Sequence, residues 1–130
     1  MTAALNPVDP DTHVLAVTAA RAADDKQGHD IVVIDVGDVL PITSLFIVAS
    51  ASNSRLVRTI ADAVTESVRN ATGLSPVRSE GMAEAQWILV DYGDVVVHVF
   101  AEETRRFYEI ERLYRDRPLV EWRPAGHPAR

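Results

Sequence analysis

Apolar residues recur along this chain in two rhythms, and the switches between them mark out its elements. Leu15, Ala16, Ala19, Ala22 and Ala23 follow helical spacing, with Asp11 or Thr12 as cap and Gly28 as the stop after about Gln27. Asp30–Val36 and Leu45–Ala51 are short β-branched or apolar runs, the pattern of buried strands, with Pro41 breaking the chain between them. Ser52, Asn53 and Ser54 offer cap chemistry to a long helix whose stripe is Leu56, Val57, Ile60, Ala61, Val64, Val68 and Ala71, ended by Gly73. A weak strand is expected from Pro76 to Gly81. Two strong strands follow, Gln86–Asp91 and Val95–Phe100. The turn residues Tyr92, Gly93 and Asp94 join them as an antiparallel hairpin. A last helix is expected from about Glu103 to Arg115, with Phe107, Ile110 and Tyr114 on its core side and Arg105, Tyr108 and Arg112 opposite.

The order α-β-β-α-β-β-β-α predicts an α/β fold, a mixed five-stranded sheet with covering helices. The 130 residues suit one domain. Residues 1–10 are expected to be a flexible N-terminus, 11–117 the single domain and 118–130 a flexible tail with Pro118, Pro124, Gly126 and Pro128, in which Trp122 has the means to dock. Met1–Pro10 has neither a basic residue nor an apolar core, so it does not read as a secretory signal. No apolar run approaches the roughly 20 residues that span a bilayer. Cysteine is absent, which excludes disulfides and thiolate metal sites and fits a cytoplasmic protein.

Charge narrows the partner. The net charge is −6, and Arg105, Arg106, Arg112, Arg115 and Arg117 are interleaved with Glu102, Glu103, Glu109, Glu111 and Asp116. A locally neutral segment is a poor grip on phosphates, so little direct RNA contact is expected and a protein partner is favoured. Asp35, Asp91, Asp94 and His98 alone resemble an active site, and they define the alternative reading, a metal-dependent nucleotidyl transferase-like enzyme using Asp91, Asp94 and His98. Against it, such enzymes need two carboxylates one residue apart on a strand, whereas Asp91 and Asp94 lie three apart across a turn. No phosphate-cradling glycine loop is present, and no metal or cofactor is expected. His98 shares a strand face with Val96 and Phe100 and reads as a half-buried, hydrogen-bonded histidine. Tyr108 between Arg105 and Arg112 is a mixture enriched at protein interfaces; Trp87 at a strand start and Tyr92 in a turn add aromatic surface.

The run from Trp87 to Phe100, followed by Glu103–Leu113, closely resembles the ribosomal silencing factor family with its Iojap-related members. Asp30–Val36, Ile42–Val48, Ser54-Arg55 and Glu80-Gly81 carry the same resemblance, which covers about residues 11–115. It implies a nucleotidyltransferase-like fold without transferase activity, a homodimer, and binding to protein fourteen of the large ribosomal subunit, which would block subunit association and lower translation when nutrients are short. It implies Trp87, Tyr92 and Tyr108 as partner-binding aromatics; Arg105 and Arg112 join them from the helix wheel. Two positions depart from the family pattern: Ser44 replaces the usual Asp, and Tyr114 the usual Trp.

Overall fold

Helix α1 (Pro10–Asp25) starts on Asp9 in the computed structural model, which describes residues 9–40 and 42–124. The Asp9 carboxylate accepts from the amides of Asp11 at 3.2 Å and Thr12 at 3.3 Å. The cap is therefore Asp9, ahead of the expected Asp11 or Thr12, because proline has no N–H to satisfy and suits the first helical position. Ala16, Ala19, Ala20 and Ala23 are fully buried and let α1 lie close against its neighbours. At the C-terminal end Gln27, not Gly28, takes the left-handed conformation, with φ 63°. Gly28 is needed for closeness instead: a Cβ there would lie 3.0 Å from the Ala23 carbonyl oxygen and 3.4 Å from Ile60 of the next helix.

Strands β1 (His29–Asp35) and β2 (Leu45–Ala51) pair antiparallel, and Pro41, expected to break the chain between them, lies outside the described residues. Helix α2 (Ser54–Thr72) is capped by Asn53 and closed by Gly73 at φ 79°. Its Val57, Ile60, Val64 and Val68 are fully buried, each contributing roughly 1.5–3 kcal/mol by leaving water. Leu56 and Ala71, expected in that stripe, flank it and stay exposed. β3 (Arg78–Glu80), β4 (Trp87–Asp91) and β5 (Val95–Ala101) complete one sheet in the order β1-β2-β5-β4-β3. β2 and β5 run parallel and every other pair antiparallel, giving the mixed five-stranded sheet that the pattern predicted.

The sheet has two unlike faces. α1 and α2 cover one, with Val33, Leu45, Ile47, Ile88, Val90, Val97 and Val99 beneath them. The other carries a smaller cluster of Ile34, Val36, Val48 and Phe100, partly roofed by the chain after β5. That chain is not one helix to Arg115. α3 (Glu102–Tyr108) stops after seven residues, Glu109 takes a left-handed turn with φ 47°, and Ile110–Tyr114 continue as a 3₁₀ turn. The break resets the helical phase. Ile110 and Tyr114 pack on the smaller cluster as the wheel predicted, but Phe107 is 78% exposed and Arg105 is buried.

Residues 118–122, read from the sequence as the start of the tail, lie against β1. The Asp35 amide donates to the Pro118 carbonyl at 2.9 Å and the Val120 amide to Val33 at 2.8 Å, so the segment runs along the free edge of β1. Trp122 is buried in the main core, and its indole N–H donates to the Ile31 carbonyl at 3.3 Å. Among the described residues no helix is long and apolar enough to cross a membrane.

Candidate functional site

Alternation along β4 puts Ile88 and Val90 under α2, and Trp87, Leu89 and Asp91 on the opposite face. On β5 the same face holds Val96, His98 and Phe100, in register with Asp91, Leu89 and Trp87. Trp87 is set in place by its surroundings. Gly81, at φ 85°, passes so close that a Cβ would lie 2.1 Å from the Trp87 carbonyl oxygen, an approach open only to glycine. Arg58 of α2 donates from Nε to Met82 O at 3.0 Å and from Nη2 to Ala83 O at 2.7 Å, tying down the loop that leads into β4. The indole lies 4.8 Å from the Phe100 ring and 5.0 Å from the Tyr108 ring, and its N–H donates to His98 Nδ1 at 3.1 Å.

Tyr108, 53% exposed, thus forms one aromatic surface with half-buried Trp87. Phe107 extends it, its ring 4.9 Å from that of Tyr108. Sequence reasoning missed Phe107 because it assumed an unbroken helix. Beside Trp87 a shallow groove of about 380 Å³ is lined by Leu40, Phe46, Leu89, Val96 and His98, with Arg78 and Asp91 among its walls.

The other expected binding residues do not join this surface. Tyr92 follows the opposite parity and packs on the helix-covered core near Thr65 and Arg69 of α2; burial raises its pKa, and those two neighbours pull it back. Its place in a turn suggested exposure, but the side chain folds back. Arg105, 9% exposed, is no free contact. It donates to Glu111, the His29 and Asp30 carbonyls and Ser50. It holds α3, the helix that carries Tyr108, on the sheet. Arg112 is exposed and meets Glu109 at 3.7 Å, a surface pair worth little.

The residues of the alternative reading are occupied separately. Asp35 accepts from the Gly37 amide at 3.1 Å. Asp91 accepts from Arg78 Nε at 3.2 Å and from the Gly93 amide at 2.8 Å, stabilising the hairpin turn. Asp94 contributes its backbone carbonyl to Thr43, Ser44 and Leu45. His98 is buried among Phe46, Phe100 and Trp87, and burial lowers its pKa from 6.5 to about 4 against an opposing pull from Glu111. Among the described residues no three His, Asp or Glu side chains are grouped to hold a metal ion.

The family model described as ribosomal silencing factor during starvation matches residues 9–129. The chain belongs to the ribosomal silencing factor family. It is 36% identical over 103 residues to the ribosomal silencing factor RsfS of Bacillus subtilis, covering 79% of this chain and 86% of that one. A crystal structure of a Chromobacterium violaceum protein superimposes with TM-score 0.77 at 32% identity, covering 90% of this chain and 97% of the other. A Bacillus halodurans structure does so with TM-score 0.70, also at 32% identity, over 83% and 96%. In this chain the rings of Trp87 and Tyr108 meet on the sheet face away from α1 and α2.

Proposed function

We propose that this chain is a non-catalytic cytoplasmic binder of the large ribosomal subunit. It docks on protein fourteen of that subunit, where the small subunit would join, keeps the two subunits apart and represses translation when nutrients are short. The free protein is a homodimer. Family membership supports the class. The observation that carries the binding mode is the aromatic surface of Trp87 and Tyr108, flanked by Phe107 and by an apolar groove. Rigid, partly exposed aromatics give large contact area at a small entropy cost, and truncating such an anchor typically weakens binding by about 2 kcal/mol or more.

Co-sedimentation with purified large subunits tests the reading. Trp87→Ala and Tyr108→Ala should each weaken binding at least tenfold, while Tyr108→Ala leaves the denaturant midpoint nearly unchanged. Normal binding by both variants would refute this face. Analytical ultracentrifugation checks the dimer. Mg²⁺ or a nucleotide raising the melting temperature would instead favour the enzyme reading, since a ligand of the native state stabilises it.

A further inference from the structure

An indole N–H donates and never accepts. Its bond to His98 Nδ1 therefore requires that nitrogen to be unprotonated, which places the proton of the neutral imidazole on Nε2. A charged imidazole would present N–H at both nitrogens and leave the indole facing a donor. The surroundings hold the neutral form: His98 is 5% exposed, its ring meets Phe46 edge-on at 4.7 Å, and Phe100 lies parallel to it at 6.3 Å. Trp87 is thereby fixed at three points, with its polar tip on His98 and its ring against Phe100 and Tyr108.

We infer that His98 is a positioning residue for partner recognition, whose Nδ1 lone pair holds the Trp87 indole so that Trp87 and Tyr108 form one preset aromatic surface. The inference rests on the proposed binding face. A half-buried indole deprived of its acceptor turns toward water to satisfy its N–H, and the partner must then select the useful orientation. Immobilising one freed side chain on binding costs roughly fivefold in affinity.

Two substitutions in the full chain separate positioning from packing. His98→Phe keeps a flat ring but has no acceptor. His98→Asn puts Oδ1 near the place of Nδ1 but leaves part of the ring's volume empty. Positioning predicts that stability and binding part company. His98→Phe should melt near the parent and bind large subunits roughly fivefold more weakly, whereas His98→Asn should melt earlier and, below its transition, bind within about twofold. The ¹⁵N-indole resonance of Trp87, told apart from that of Trp122 by its loss in Trp87→Ala, should move in His98→Phe and stay in His98→Asn. If His98→Phe does not fold, His98→Leu serves the same comparison. An unmoved resonance in the acceptor-free variant overturns the inference whatever the binding. A moved resonance with parental binding, while Trp87→Ala binds poorly, also overturns it and leaves the face intact. Parental binding by Trp87→Ala removes the face itself, and the inference with it.

Discussion

Replacing Arg105 by alanine removes a side chain that makes four hydrogen bonds from a buried position. Its guanidinium donates from Nε to Glu111 Oε2 at 2.8 Å, from Nη1 to the His29 carbonyl at 3.1 Å and to Ser50 Oγ at 3.0 Å, and from Nη2 to the Asp30 carbonyl at 2.7 Å. Each charge-assisted bond alone would contribute roughly 1.5–3 kcal/mol, but four bonds from one rigid group are not independent. The better guide is the loss of one partner from a buried ion pair, about 3–5 kcal/mol. Glu111 is 32% exposed and regains water when Arg105 leaves, so the lower end applies, about 3 kcal/mol. Urea unfolding followed by circular dichroism should show that loss, and co-sedimentation below the transition should show weaker binding because α3 carries Tyr108. Arg105→Lys should recover little, since one ammonium cannot reach the carboxylate and two carbonyls together. Arg105→Met with Glu111→Leu should be less destabilised than Arg105→Ala, because no charge is stranded. A stability loss under about 1 kcal/mol together with lost binding would refute this reasoning and make Arg105 a direct contact.

Three further outcomes follow from the same geometry. Trp122→Ala should cost roughly 3–5 kcal/mol in chemical unfolding, since the ring is 5% exposed in the main core; a loss below about 1 kcal/mol would mean the strap along β1 is not held. His98 makes stability pH-dependent: the unfolded chain takes up its proton near pH 6.5 and the folded chain only near 4, so stability is full above 6.5 and falls by up to about 3 kcal/mol as pH drops to 4, a slope that should vanish in His98→Phe. Ribosome binding should have a shallow log–log salt slope, equivalent to at most roughly two or three phosphate contacts, and equally tight binding to naked ribosomal RNA would contradict it.

The fold was legible because its signals are local. Short apolar runs, a helical stripe and Gly73 at a left-handed stop place β2, α2 and the β4–β5 hairpin nearly residue for residue. What stayed hidden depends on tertiary context. The strap at residues 118–122 reads as proline-rich tail, and nothing in its composition says that the edge of β1 lies beside it. The end of α3 is hidden for a related reason. Glu109 is an ordinary helix former, yet it turns left-handed while Arg105 is bonded to Glu111 across the break. Propensity favours continuing the helix, and that buried pair favours the corner.

Those two kinds of information explain which site residues emerged together. Strand parity alone separates Trp87 from Tyr92, five positions apart and on opposite faces, so the sequence already held the reason Tyr92 points into the helix-covered core. The hairpin register pairs Trp87 with Phe100 and Leu89 with His98, which makes Trp87 and His98 diagonal neighbours on one face. Once that register is known, the partnership of indole and imidazole is available from strand parity. The partnership of Trp87 with Tyr108 was not, because it requires knowing where α3 crosses the sheet, and that is set by Arg105 reaching the carbonyls of β1. The proposed binding face, assembled from two elements, thus depends on a buried arginine that a helix wheel assigns to the surface.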